Sequence, residues 1–511
     1  MTRRHWMIAI LGAWGLSLGW PVQRQYFQST GARLAEAALA VPPGAIFYRL
    51  DVGGQQVGFA SSTIDTLKDS IRVEDQLVLD VAALGHMHRT TARSSATVNR
   101  ALRLLHVDAT FDGDGAQYAA RGILTGDSVL QITLVTGPDT QVTRLRLTRP
   151  IVLPSLLPLR LAFGGELKRG TTSSLRIFDP MLLAERDVSV RVAAETTMVV
   201  ADSADYDSTA MAWVPVHLDT LRAFRIDQES GGVTVSVWID AQGHAVRATS
   251  PVGFTLQRSA FEIAYENFRR RDTVRLARAS ATSGVGDIIA ATALTASIRP
   301  RPPVPPLLRV RLGGVALAAL HLGGGRQQVN GDTLLVRREG LAQLAARYRL
   351  PALDTALRAF LRPEALIQST NPRIEAQARL LLQRETDAAK AAELLTHWVA
   401  SHVKAEVANT IPSALQVLER RQGDCNEYTV LYVALARAAG LPARPVAGLL
   451  YLGGRFYYHA WPEVYLGDWV AVDPTFDQFP ADAAHLRLAI GGLARQVELA
   501  RLIGALKLET L

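Results

Sequence analysis

Cys425 is the only cysteine in a chain of 511 residues, and His459 and Asp473 follow it in that order. A thiol attacks a carbonyl as thiolate, an imidazole can take its proton, and a carboxylate can hold that imidazole in one tautomer. The three residue types therefore supply nucleophile, general base and orienter for acyl transfer. Each also has a commoner use: a lone cysteine as a small buried hydrophobe, a histidine as a satisfied polar residue, an Asp-Pro pair as a turn. The ordered set points to catalysis, because independent packing needs would not be expected to produce it.

The elements around these residues read as their supports. Gly423-Asp424 makes a turn, and Cys425 opens an amphipathic run through Tyr428, Leu431, Tyr432, Leu435 and Ala439 that Gly440 and Pro442 stop. Cys425 is thus expected at a helix N-terminus, where the dipole and free N–H groups lower a thiol pKa from about 8.5 and offer a donor to an oxyanion. Arg455 to Tyr465 alternates like a strand and carries His459, and a turn around Gly467-Asp468 leads into Trp469 to Val472 and then Asp473-Pro474. If the hairpin loop has an odd number of residues, His459 and Asp473 share a sheet face, opposite or diagonal to one another.

The blocks GDCNEYTVLYVALARAAGLPAR, YYHAWPEVYL and WVAVDPT resemble the transglutaminase-like superfamily, over roughly Ser413 to Pro480. The resemblance implies a papain-like α+β core, with Cys425 as nucleophile, His459 as base and Asp473 as orienting acid. It also implies a peptide or protein amide as substrate, a cell-wall peptide among the candidates. Cross-linking transglutaminases usually carry Gln before and Trp after the cysteine, whereas Asp424 and Asn426 stand here. A cysteine peptidase or amidase is therefore expected first, and a protein-glutamine γ-glutamyltransferase second. A binding module with an idle triad is third, motivated by a large β region with no visible chemistry. Trp398, Gln416 and Gln422 are candidates for a second oxyanion donor, with a core role the commoner one for a tryptophan.

Composition bounds the setting. With 48% hydrophobic residues the chain can bury large cores, and its length suggests about three domains. The net charge of +8 is spread along the chain apart from Arg269-Arg270-Arg271, and no nucleic-acid motif accompanies it. Such a balance suits anionic envelope surfaces or acidic substrates. Arg3-Arg4 precede an apolar run from Trp6 to Val22, broken by Arg24, which reads as an export signal just long enough to span a bilayer. The reading favours an uncleaved anchor, with the rest of the chain facing the periplasm or cell exterior. A single cysteine excludes an intramolecular disulfide and any Cys-cluster metal site, and no cofactor is expected.

The expected organisation is a signal or anchor over 1–27, an antiparallel β domain over 44–271, a linker over 272–306, a small β unit over 307–340, and helical support with the catalytic core over 341–511. In the β domain, alternating runs at Ile71 to Val81, Leu130 to Leu134 and Val233 to Ile239 are separated by hairpin signals at Gly53-Gly54, Asp112 to Gly115, Gly126-Asp127 and Gln242-Gly243. They predict a large twisted sheet or sandwich. Asp112-x-Asp114-Gly115 lacks the other ligands of a calcium loop, and His86-x-His88 lacks a third ligand nearby, so both read as strand and turn features. Pro300, Pro302, Pro303, Pro305 and Pro306 stiffen the linker, and Asn330-Gly331 joins two short strands of the small unit. Short helices are then expected at Leu341 to Tyr348, Ala352 to Leu361 and Pro372 to Leu382. Thr386 or Asp387 should cap a helix burying Leu394, Leu395, Trp398, Val399 and Val403, and Ser413 should cap Ala414 to Arg420. Leu493 to Leu502 reads as a last helix and Leu506 to Glu509 as a closing strand.

Overall fold

The computed structural model describes residues 43–83, 86–113, 116–126, 128–137, 139–147, 149–180, 183–230, 233–250, 253–271, 292–296, 306–340, 344, 348–407, 411, 413–492, 495, 497, 499, 502 and 504–511. The apolar N-terminal segment, most of the proline-rich linker, and most of Leu341 to Tyr348 and Leu493 to Leu502 lie outside the described residues. Among the described residues, no helix is long and apolar enough to cross a membrane.

Gly53 and Gly54 both have positive φ, the backbone of a two-residue hairpin turn, and they let Val52 pair with Gln55. Repeated antiparallel pairings of this kind build one sheet of fourteen strands among the described residues. One wing runs from Gly44–Val52 to Asp139–Arg146, the other from Thr172–Asp179 to Phe254–Ser259. They join where Phe47 pairs with Ser259 and Val52 with Phe254.

The sheet is a single curled layer rather than a sandwich. Between the wings lies a helix, Leu157–Phe163, that alternation did not announce. Its Leu157, Leu159 and Leu161 sit in one core with Ile71, Val73 and Leu130 from the first wing and Val188, Phe224 and Ile239 from the second. Burying apolar surface on both sides of one helix is what bends the sheet. The Gln242-Gly243 turn packs on that helix so closely that a Cβ at 243 would lie 2.7 Å from the Leu159 Cα, and its φ of +82° also favours glycine.

The C-terminal half is an α+β unit. Asn371 caps Pro372–Leu382, and Asp387 caps Ala388–His402 by accepting the Lys390 N–H. The Ala388–His402 helix buries Ala388, Ala391, Ala392, Leu395, Thr396 and Val399, so its inner face is made of smaller residues than expected; Leu394 and Trp398 flank it, partly buried. The alanines allow close approach to the Cys425–Ala438 helix, whose Tyr432 hydroxyl donates to the Ala392 carbonyl at 3.1 Å. Two helical expectations change. Thr355–Leu361 is a 3-10 helix capped by Asp354, and Ser413, at the cap position, receives the Gln368 amide instead of capping.

The Cys425–Ala438 helix is buried from Glu427 to Arg437. A helix apolar nearly all round belongs in a core, and this one packs with the other three helices and with Val464, Leu466, Val470 and Val472. Those four belong to or adjoin an antiparallel sheet in which Ala443–Leu452 pairs with both Arg455–Tyr465 and His485–Ile490, and Trp469–Ala471 pairs with Arg455–Tyr465.

A separate core joins part of this sheet to the small β unit of Leu307–Gly313, Gln327–Asn330 and Thr333–Arg337. The chain returns to that unit at its end, where Lys507–Thr510 pairs with Leu307–Gly313. Buried Arg487 ties the sheets together, bonding Glu463 Oε1 at 2.7 Å and the Gly323 carbonyl at 2.7 Å.

The β domain rests on the helical side. Tyr118, Ala120 and Leu134 form a small core with Ile411, and the Gln416 amide donates to the Gln117 carbonyl at 3.2 Å. The Ala414–Arg420 helix, which delivers the chain to the Cys425 turn, is thereby held from both sides.

Candidate active site

Asp424 has extended backbone and ends the chain's run into the helix, so Cys425 is the first helical residue. Asp424 accepts the Asn426 N–H at 2.8 Å, and Glu427 reaches back to the Asp424 N–H at 3.1 Å, closing a capping box. Glycine is required before it, because a Cβ at 423 would lie 2.3 Å from the Glu427 Cβ. This geometry fixes where the sulfur begins. No helical carbonyl reaches the Cys425 N–H, which is one of the free donors of a first turn.

His459 is on the Arg455–Tyr465 strand, opposite Gly448. The hairpin loop is three residues long, because Tyr465 pairs with Trp469. Continuing that register would set His459 opposite Thr475, so Asp473 approaches diagonally from the same face. His459 Nε2 lies 2.8 Å from Asp473 Oδ2, and both residues are buried. Asp473 Oδ1 accepts the Thr475 N–H at 2.8 Å, which locks the carboxylate in the Asp-Pro turn. Trp461 stacks on the His459 ring with centroids 5.9 Å apart, and Phe476 meets its edge at 5.7 Å. With Nε2 committed to Asp473, Nδ1 is the nitrogen left for the thiol.

Cys425, Asn426, Ala447, Gly448, Tyr458, His459, Ala460 and Leu499 line one small cleft of about 100 Å³. The structure thus brings Cys425 and His459 to one cavity. Gly448 matters to its wall, since a Cβ there would lie 1.9 Å from the Leu486 carbonyl oxygen. Two polar atoms on lining residues, Asn426 Oδ1 and the Tyr458 hydroxyl, are buried without a hydrogen-bond partner among the described residues. A buried unpaired polar group costs about 1–3 kcal/mol, and a substrate that met these atoms would remove that cost.

The thiol departs from the expectation of a lowered pKa. Burial pushes the Cys425 thiol well above its ordinary value, and the negative charges of Asp424, Glu427 and Asp473 push the same way; a hydrogen bond from the Ala460 backbone opposes them. Burial is the main cause of the reversal, and the capping box adds to it by placing two carboxylates at the end of the helix where the dipole alone would favour thiolate. Asp424 and Glu427 therefore serve the helix, and of the three polar neighbours of the cysteine only Asn426 lines the cleft.

None of the three candidates for a second oxyanion donor lines that cleft. Trp398 stacks on His402 at 4.7 Å beneath the Arg421 guanidinium, Gln416 faces the β domain, and Gln422 pairs with Lys404.

One site residue was missed by sequence reasoning. His485 is fully buried, its Nε2 lies 2.8 Å from the same Asp473 Oδ2, and its Nδ1 lies 2.9 Å from Asp482 Oδ1. Asp473 is held well below the usual carboxylate range: burial would raise it, but the charges and hydrogen bonds of His459 and His485 outweigh that. Among the described residues, His459, Asp473 and His485 also form a group that could hold a metal ion, their donor atoms all within 4.8 Å of one another. The hydrogen bonds already account for that clustering. His86, singled out with His88, is an exposed strand residue.

Residues 375–474 match the profile of the transglutaminase-like superfamily, a span that includes Cys425, His459 and Asp473. No curated protein matches the chain. Among solved structures, a candidate cysteine protease from Cytophaga hutchinsonii is 16% identical with a TM-score of 0.28, covering 42% of this chain and 79% of its own. A beta-barrel-like protein of a domain family of unknown function from Brucella abortus is 11% identical with a TM-score of 0.31, covering 43% of this chain and 95% of its own. A candidate protease from Parabacteroides distasonis is 10% identical with a TM-score of 0.20, covering 74% of this chain and 69% of its own.

Proposed function

We propose that the transglutaminase-like domain of this chain is a thiol-dependent acyl-transfer enzyme that hydrolyses amide bonds. The observation that carries the reading is the His459 Nε2–Asp473 Oδ2 hydrogen bond of 2.8 Å, which leaves Nδ1 as the base in a cleft shared with Cys425. The Cys425 thiol is raised, so its proton needs an acceptor as the sulfur attacks. His459 Nδ1 takes the Sγ proton as sulfur bonds to the substrate carbonyl carbon. The Cys425 N–H donates to the oxyanion, the C–N bond breaks, and the leaving amine takes the proton from His459. Water then repeats the cycle on the thioester and releases the acid. Asn426 Oδ1 is placed to accept an N–H and the Tyr458 hydroxyl to donate to a carbonyl, a pairing that suits an amide.

Hydrolysis is preferred to cross-linking because Asn426 and Tyr458 make the cleft wall polar, whereas an enzyme that waits for an amine must keep water from its thioester. The test offers a glutamine-containing peptide and a primary amine together. Acid product should exceed amine adduct, and both should vanish in Cys425→Ala. Adduct in excess would make the enzyme a cross-linker.

Export and membrane anchoring through Trp6 to Val22 complete the proposal, with an envelope peptide or protein as the substrate. Fractionation after a high-salt wash, with sequencing of the mature N-terminus, checks this part: soluble protein beginning between residues 20 and 45 would replace the anchor with a cleaved signal.

A further inference from the structure

We propose that His485 is an imidazolium still charged at pH 8, sealed behind Asp473, and that it acts as a positioning residue setting the pH at which the Cys425–His459 pair becomes active. A carboxylate only accepts hydrogen bonds, and a neutral imidazole has one N–H. Yet both ring nitrogens of His485 face carboxylates, Nε2 at 2.8 Å from Asp473 and Nδ1 at 2.9 Å from Asp482. A neutral ring would set one bare nitrogen lone pair against a carboxylate oxygen. Two N–H donors, and hence a positive ring, satisfy both contacts.

The surroundings fit that charge. Asp482 is fixed by the Ala484 N–H at 2.9 Å and by Gln478, and like Asp473 its carboxyl is lowered, with the His485 contacts offsetting burial. Burial alone would neutralise His485, but the two carboxylates outweigh it and leave the ring more basic than an ordinary histidine. From the Arg455–Tyr465 strand, His459 and the Trp461 edge complete its walls, with ring centroids 5.8 and 5.2 Å away. Arg326 is a further cation of this region, with Arg338 and Arg487 beyond it. Its guanidinium bonds the Ala481 carbonyl and Glu339, and it interacts with Asp482.

The consequence rests on the reading of His459 as general base. Two carboxylates and one buried cation leave a net charge of about −1 behind the base. Asp473 alone would hold a proton on His459 strongly. The His485 charge, with donor atoms of the two rings within 4.8 Å, opposes a second positive ring and also favours loss of the thiol proton. Both effects move the first proton loss of the Cys425–His459 pair to lower pH. That pair titrates as a unit, and its macroscopic step is the quantity to measure.

Two measurements on the full-length protein test this. With ¹⁵N-labelled histidine, one ring in the wild type should keep the imidazolium pattern at pH 8, and His485→Gln should delete that signal. Alkylation of Cys425 by iodoacetamide reads the active pair without a known substrate. In His485→Gln its acid limb should move up by about one pH unit. Asp482→Asn, which keeps an acceptor but removes a negative charge from behind the pair, should not reproduce that upward move. Neutral patterns for all histidines at pH 8 would overturn the proposal, whether or not the variants fold. Superimposable profiles for folded His485→Gln and wild type would also overturn it, while leaving Cys425 and His459 in their roles. Failure of wild-type Cys425 to alkylate at any pH would defeat the thiol chemistry itself.

Discussion

Asp473 Oδ2 accepts from His459 Nε2 and His485 Nε2 at the same distance, 2.8 Å, so one oxygen atom holds two imidazoles. Asp473→Asn replaces that shared acceptor and leaves His485 with one fewer counter-charge. Activity should fall by roughly 10³-fold or more, as for the orienting acid of a catalytic triad. Stability should fall by about 3 kcal/mol, the scale of breaking a buried pair. Loss of activity with an unchanged denaturation midpoint would show that His485 carries no charge needing Asp473.

The raised thiol makes His459 indispensable near neutrality. Wild-type Cys425 should alkylate with an acid limb set by the Cys425–His459 pair. In His459→Ala the limb should move above the value of about 8.5 of a free cysteine, because burial and Asp424, Glu427 and Asp473 then act unopposed by an imidazole. A profile for His459→Ala below that of free cysteine would mean the helix terminus dominates after all.

Tyr458→Phe separates function from stability. Its hydroxyl is buried and has no partner among the described residues, so removing it should raise stability by about 1 kcal/mol while lowering kcat/KM for an amide substrate by about tenfold. Asn426→Ala should lower kcat/KM similarly. Calorimetry with steady-state kinetics checks both, and a destabilised Tyr458→Phe with full activity would remove these residues from substrate contact.

Gly423→Ala should damage the site through its frame. The added Cβ meets Glu427 at 2.3 Å, so the capping box must open, at a cost of about 1–2 kcal/mol. A shift of the Cys425 backbone should also slow alkylation. Unchanged stability and rate would show that the turn relaxes freely.

The site also shapes stability against pH. His485 binds its proton more tightly folded than unfolded, so it stabilises the fold fully below about pH 6.5, and this is lost as pH rises through its higher folded value. Asp473 and Asp482 are lowered, so their contribution is present above about pH 3.9 and lost as pH falls. The melting temperature of the wild type should therefore decline on the alkaline side more steeply than that of His485→Gln. Parallel curves would contradict a raised His485.

What was legible in the sequence was local. The 3.6-residue spacing after Asp424, the period-2 run through His459 and the Gly467-Asp468 turn are short-range patterns, and they place Cys425, His459 and Asp473 on helix, strand and turn, while the odd loop length that sets His459 and Asp473 on one face came from the structure. His485 was not legible, because HLRLAI reads as an apolar strand and its contact with Asp473 is made only when the His485–Ile490 strand pairs with Ala443–Leu452. The Leu157–Phe163 helix escaped for a related reason: it sits between two wings of a sheet and has no polar face to mark it. The direction of the thiol shift needed burial, which spacing does not report. The capping signal itself, Asp424 with Glu427 three residues on, stood in the sequence, and reading it would have warned of two carboxylates beside the sulfur.

The central claim, an acyl group carried on Cys425, is tested most directly by mass spectrometry during turnover of a peptide amide in H₂¹⁸O. The account predicts an S-acyl adduct on the Cys425 peptide and one ¹⁸O atom in the released acid, both absent in Cys425→Ala. Amide turnover that persists in Cys425→Ala, or labelled acid formed with no adduct on Cys425 under acid quench, would contradict it.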